Sequence, residues 1–338
     1  MNARISCAAL AASLLLQPWV ATSLRAEPAE LHMATQFGIG TLPMVLVEQK
    51  KLLEKHLAQS GLASTKVTWR QFPGGNPMNE GLLSSNLDIV SGGTTVFLTL
   101  WAKAKGTSSA VRGIGAVSSL PLNLLTRNPN VHKIEDLGPQ DRIAVTTLKV
   151  SVHAILLQIA AEKIWGPGNG GRLDALTVQI PHGDAATALM SGGSEINTHF
   201  SAPPFQDLEA RAPGVHRISS QQEILGAPAT YMVAYTTERF RNDNPKTYQA
   251  FVAALKEAQE MIKSDPAGSA KIYLDHSADK LSVDEAVAII KSPESNFDIA
   301  PQSVMTFVKF MAQRGIIKTA PSAWTEMFFP EVQNLSGS

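Results

Sequence analysis

Ser151 and His153 are the residues whose types first suggest chemistry, since a hydroxyl beside an imidazole can serve as nucleophile and base. Two positions apart on a helix, they point in different directions, so they do not form a catalytic couple. His153 with Asp184 is the one acid/base pair that could meet in a shared cleft. The eight histidines are scattered. His153 and His182 can approach a cleft, yet no spacing suggests a metal site, and solvated or packed imidazole is the simpler reading. The patterns G-x-x-x-x-G-K-[ST], H-E-x-x-H, C-x-x-C and G-x-S-x-G are all absent. Gly38-x-Gly40 and Gly113-x-Gly115 copy part of a dinucleotide fingerprint, but both lack the third glycine and Gly113 leads into a strand-like run. Neither catalysis nor a cofactor is expected.

The positive signals are loops. Gly92-Gly93-Thr94-Thr95 precedes a helical pattern, so free backbone N–H groups and two hydroxyls face whatever lies before it. Thr146-Thr147-Leu148-Lys149-Val150-Ser151 does the same further along, and Gly75-Asn76 and Gly183-Asp184 add two more helix starts. Taken singly, each residue reads as a cap; together they imply a ligand cleft, because helix N-termini attract negative groups without a formal positive charge. The expected occupant is a small anionic or zwitterionic organic solute. Thr94, Thr95, Ser151 and the adjacent N–H groups would hold its anionic group. Lys149 or Arg70 would add charge, and Phe37 or Phe200 would cover its apolar part.

The elements that must position these loops repeat. Residues 67–97 run from an apolar stretch through Pro73-Gly74-Gly75-Asn76 and a short helical pattern to Leu87-Asp88-Ile89-Val90 and a small-residue loop. Residues 178–205 follow the same plan through Pro181-His182-Gly183-Asp184, a helical pattern, and the turn at Phe200-Ser201-Ala202-Pro203-Pro204. Two such units facing each other make a cleft. Strands are expected at Leu31–Thr35, Val67–Phe72, Leu87–Val90, Val111–Val117, Leu120–Thr126, Ile143–Thr147 and Thr230–Thr236, and helices at Leu42–Leu57, Thr95–Lys105 and Ser151–Trp165. Beyond Thr236 the chain reads as helical. Asn244-Pro245 opens one helix, Ser282 with Glu285 forms a capping box, and a helix from Ala300-Pro301 ends near Gly315. Alternating strands and helices predict an α/β protein with mostly parallel sheet and ligands at the carboxyl ends of strands.

Composition narrows the class. The 338 residues allow two domains, and a hydrophobic content of 44% supports a substantial core. Lys+Arg and Asp+Glu are both 29, and no basic run occurs, which argues against a nucleic-acid partner. Residues 1–26 have the layout of a secretory signal: Arg4, an apolar or small run over residues 5–16, a break at Gln17-Pro18, then Ala21, Ser23 and Ala26 for cleavage. The only cysteine, Cys7, lies inside it. Loss of Arg4 and Arg25 leaves 27 basic against 29 acidic residues, a mildly acidic exported chain whose natural home is a bacterial periplasm.

Over roughly residues 31–330 the chain resembles the periplasmic solute-binding proteins of ABC importers, in the nitrate/sulfonate/taurine/bicarbonate class. The resemblance is carried by Gln36–Thr41, Ser84-Ser85-Asn86-Leu87-Asp88-Ile89, Ile134–Gly138, Asp141–Val145 and Val150–His153. Met232–Tyr235, Asn244-Pro245, Asp265-Pro266 and the tail Trp324…Phe328-Phe329-Pro330 complete it. It implies a type II periplasmic binding fold with two lobes, each a mostly parallel sheet flanked by helices. One lobe would span residues 27–126 and 229–338, the other 127–228, with two crossovers at the hinge. It also implies ligand contacts at Phe37, Gly38, Thr41, Leu42, Gly75, Asn76, Gly93, Thr94, Ser118, Thr147, Ser151, Phe200 and Pro203, to which Thr95, Lys149 and His153 are added from the residues themselves. A monomer that delivers its solute to an inner-membrane permease is implied as well. Leu148-Lys149-Val150 stands where relatives carry a Gly-Ser-rich turn. Ser201-Ala202-Pro203-Pro204 replaces a common Trp-Glu-Pro, so recognition in the second lobe is expected to differ. An exported enzyme or pyrimidine-precursor protein, or a sensor for a membrane receptor, is the alternative on the same fold.

Overall fold

The computed structural model describes residues 27–277 and 279–338, so the expected signal segment lies outside the described residues. In chain order, β1 (Glu30–Thr35) leads through a 3-10 turn to α1 (Leu42–Gln49) and α2 (Leu52–Gln59). β2 (Lys66–Gln71), α3 (Gly75–Leu83), β3 (Ile89–Gly93), α4 (Thr94–Ala104) and β4 (Val111–Ser119) complete the first half-sheet. Then come β5 (Asn123–Thr126), β6 (Ile143–Val145), α5 (Val152–Trp165), β7 (Thr177–Gln179), α6 (His182–Ser191), β8 (Thr198–Ser201), α7 (Phe205–Glu209), β9 (His216–Ser220) and α8 (Gln221–Leu225). The chain returns through β10 (Thr230–Thr237) to α9 (Glu238–Asp243), α10 (Pro245–Ser264), α11 (Pro266–Ser277), α12 (Val283–Ile290), α13 (Val304–Gln313) and α14 (Pro330–Gln333).

Two five-stranded sheets form, ordered β2-β1-β3-β10-β4 and β7-β6-β8-β5-β9. In the first, β1 pairs parallel with β2 and β3, and β10 runs antiparallel to β3 and β4. The second repeats this plan: β6 is parallel to β7 and β8, and β5 is antiparallel to β8 and β9. The two echoing segments are thus β2–α3–β3 and β7–α6–β8, equivalent units of two lobes. Since β5 pairs with β8 and β9, residues 123–126 belong to the second sheet. The first crossing falls between β4 and β5, earlier than the expected boundary at residue 126. The return runs between α8 and β10.

Burial explains the strand sequences. Every residue of β10 is buried, as is every residue of β3, which suits strands covered on both faces. Gly113 and Gly115 on β4 exist for close approach rather than for a nucleotide. A Cβ at Gly113 would stand 2.4 Å from the Phe328 ring, and one at Gly115 would stand 2.3 Å from Ile299. The C-terminal segment lies directly on this strand, with Phe329 N–H donating to the Gly113 carbonyl at 2.9 Å. The single helix expected over residues 42–57 is two, because Lys51 adopts φ 52° between α1 and α2. Nothing in Gln49-Lys50-Lys51 marks that break. The helix expected from Ala300-Pro301 begins later, at Val304, after Ser303 turns through φ 51°.

Candidate functional site

Four helix starts open on one space between the lobes. Gly75 begins α3, Gly93 precedes α4, Ser151 caps α5 and Pro181 precedes α6, and all four line a cleft of about 430 Å³. The first two belong to one lobe and the last two to the other. The lobes touch around this space: the Thr95 hydroxyl donates to the Val150 carbonyl at 2.5 Å, and Arg211 pairs with Glu285.

Of the expected contacts, Phe37, Gly38, Thr41, Gly75, Gly93, Thr147, Ser151 and His153 line the cleft. Phe37 is half exposed at its mouth. The Ser151 hydroxyl accepts from Ala154 N–H at 3.3 Å, the local cap its type predicts. Thr41 donates to the Gly38 carbonyl at 2.8 Å, closing the turn that begins at Gly38. Gly38 itself sits at φ 98°, ψ 160°, a conformation open essentially to glycine alone. Gly38→Ala should therefore lower the unfolding free energy by about 1–3 kcal/mol, measured by urea denaturation. Equal stability would show that the turn relaxes freely.

The other eight expected residues do not line the cleft, for identifiable reasons. Thr94 donates to the Thr230 carbonyl at 2.7 Å, and Ser118 donates to the Gly40 carbonyl at 2.7 Å. Their hydroxyls, like that of Thr95, are committed to backbone carbonyls of distant segments. Leu42 is wholly buried in the core, and Asn76 faces solvent from the outer side of α3's first turn. Lys149, at φ 64°, is exposed outside the cleft, and Arg70 is exposed on β2. Phe200 is fully buried and supports His153, ring centroids 5.7 Å apart. Pro203 stands behind Gly38, its carbonyl 3.3 Å from where a Gly38 Cβ would be.

Sequence reasoning missed part of the lining. Tyr273, His276 and Ser277 in the second half of α11, with Asp279 just after it, reach the cleft from the C-terminal helices. The Tyr273 hydroxyl donates to Asp279, and His276 meets Gln71 at 3.2 Å. Phe205 and Tyr231 add aromatic wall. His182, Gly183 and Asp184 also line it, where the echo of Pro73-Gly74-Gly75-Asn76 in Pro181-His182-Gly183-Asp184 already pointed. No Lys or Arg lines the cleft among the described residues, while Asp184 and Asp279 do.

The floor is histidine. His182 Nδ1 lies 2.8 Å from His199 Nε2, and His199 Nδ1 lies 2.5 Å from Glu209 Oε1, with His199 and Glu209 wholly buried. The Tyr231 hydroxyl stands 3.4 Å from His182 Nε2. His153 packs edge-on against His182 at 4.6 Å, and neither of its ring nitrogens has a hydrogen-bond partner among the described residues. Burial, and after it the proximity of His199, pushes His153 down to about 3. Burial, then His153 and His199, hold His182 well below the usual histidine range. Both rings are therefore neutral at pH 7. The expectation of packed histidines holds, but they pack upon one another. His153 and Asp184 are not hydrogen-bonded, so the acid/base pair that an enzyme would need is not assembled here.

No family model matches the chain, and no curated protein is significantly similar to it in sequence. Solved structures are similar in fold. The alkanesulfonate-binding protein of Xanthomonas axonopodis pv. citri, bound to MOPS, superposes with a TM-score of 0.66 at 22% identity, covering 86% of this chain and 95% of that one. The periplasmic aliphatic sulphonate-binding protein of Escherichia coli gives 0.66 at 18%, covering 90% and 99%. The periplasmic nitrate-binding protein of Synechocystis PCC 6803 gives 0.67 at 12%, covering 89% and 85%. The agreement extends over nearly the whole of each chain and establishes the two-lobed architecture of periplasmic binding proteins.

Proposed function

We propose that this chain, built on the two-lobed periplasmic binding fold, is the solute-binding component of an ABC importer. It holds a small organic solute between its lobes and delivers it to a permease at the inner membrane. It works without catalysis, as a monomer in the periplasm. The observation that carries this reading is the convergence of the α3, α4, α5 and α6 starts, two from each lobe, on one cleft. Such a space reads a ligand with both lobes at once, and a permease can read the closed pair.

The solute is anionic or zwitterionic, of the sulfonate, taurine, nitrate or carboxylate kind. Its negative group rests on helix-start N–H groups, since Lys149 and Arg70 lie elsewhere. Asp184 and Asp279 suit the ammonium of a zwitterion. Phe37, Val45, Val96 and Phe205 cover its apolar part. Sulfonates, taurine, nitrate, carboxylates, amino acids and neutral amides should be titrated while the melting temperature is followed. A true ligand at a hundred times its Kd should stabilise the fold by about 2.7 kcal/mol. A flat response to every class would defeat the proposal.

A further inference from the structure

We propose that the histidine floor of the cleft is a subsite for an uncharged hydrogen-bonding group of the solute, an amide or a nitrogen heterocycle, read by His153 and His182. The inference rests on the solute-binding reading of the same cleft and specifies what its occupant must carry. Three observations support it.

His153 lines the cleft with 1% of its surface exposed, and both ring nitrogens lack a partner among the described residues. A neutral imidazole offers one N–H donor and one lone pair at once. Nearly all buried polar groups are paired, so two unpaired nitrogens on one buried cleft-lining ring mark a place where a partner with both functions fits.

The second observation is the chain of rings behind His182. With Glu209 accepting from His199 Nδ1–H, the His199 Nε2 lone pair faces His182 and accepts from its Nδ1–H. His182 Nε2 is thereby left as a lone pair whose one donor here, the Tyr231 hydroxyl at 3.4 Å, makes only a long, weak bond that a closer ligand N–H can displace. Glu209 and His199 act as positioning residues: they decide which nitrogen of His182 carries the proton, and so decide that the cleft meets an acceptor. A sulfonate or nitrate has no donor to offer it, whereas an amide N–H or a ring N–H does.

The third observation is charge. Among the described residues no Lys or Arg lines the cleft, so no cation stands at the floor to balance an acidic group placed there. An acidic group of the solute belongs nearer the helix starts, and the floor takes its neutral portion.

Benzoate, benzenesulfonate and the 4-carbamoyl derivative of each form a matched set of four anionic probes, to be titrated calorimetrically into the full chain. The carbamoyl-bearing pair should bind at least about tenfold more tightly than the plain pair, the usual discrimination of one paired against one unpaired buried group. His153→Phe keeps a ring of similar shape and removes both nitrogens. It should erase that preference while its own melting temperature shows it folded. Should it not fold, His153→Gln replaces it, with a side-chain amide that keeps a donor and an acceptor, and should retain part of the preference. Nitrogen-15 shifts of the imidazoles should show His182 protonated on Nδ1 with Nε2 bare. Plain anions that bind best and ignore His153→Phe, or a proton found on His182 Nε2, would overturn the floor assignment and leave the solute-binding reading intact. If all four probes and the wider panel fail, and denaturation releases no small molecule, both fall together.

Discussion

Acidification from pH 7 to pH 5 is expected to remove about 2 kcal/mol of stability through His153 alone. The ring is buried neutral and pushed down to about 3, chiefly by burial, whereas in the unfolded chain it titrates near the ordinary histidine value. Between those two values the unfolded state binds the proton and the folded state refuses it. Stability from this group is thus fully present above the unfolded value and is lost progressively as pH falls through the window toward 3. His182, also held low by burial and by its histidine neighbours, acts in the same direction. The measurement is urea unfolding of the chain and of His153→Phe at both pH values, since carboxylates elsewhere titrate equally in both proteins. The variant should lose about 2 kcal/mol less on acidification. Parallel losses would mean that His153 is already solvated in the folded protein.

Gly93→Leu is expected to abolish solute binding while leaving the fold in place. Gly93 ends β3 and precedes α4 at φ −58°, ψ 139°, a conformation any residue adopts. A Cβ there meets only the Val152 side chain, at 3.5 Å, an ordinary contact, and both residues line the cleft. The added isobutyl group must then occupy the space in which the helix starts converge. Overpacking worth about 3 kcal/mol against a bound solute corresponds to roughly a hundredfold weaker Kd. Calorimetry with whichever solute binds the parent, set beside melting curves of both proteins, makes the check. Unchanged affinity would mean that the solute does not lie between the starts of α4 and α5.

Much of the architecture could be read along the chain. The strand and helix periods of residues 30–126 and 230–264 locate the elements to within a few residues, and the repeated Pro-Gly loop anticipates two equivalent β–α–β units. Those signals are local: a strand alternates, a helix repeats, and a loop before a helix exposes N–H groups wherever it lies. The break at Lys51 had no such signal, since neither glycine nor proline marks it. The misassigned hydroxyls are more instructive. Thr94 and Thr95 are expected to hold the ligand because they open a helix, and Ser118 because the resemblance implies it, yet each finds a carbonyl from a distant segment, Thr230, Val150 or Gly40.

The sequence by itself therefore determined the two-lobed plan and the meeting of helix starts at a shared gap, because both follow from short-range backbone geometry repeated in two halves. Only the tertiary structure decided which side chains face that gap. His153, His182, His199 and Glu209 come together from α5, α6, β8 and α7, and α11 arrives from the far end of the chain. A polar group pairs with whatever the fold leaves unpaired nearest to it, and that neighbour is set by packing between elements, which no local pattern encodes.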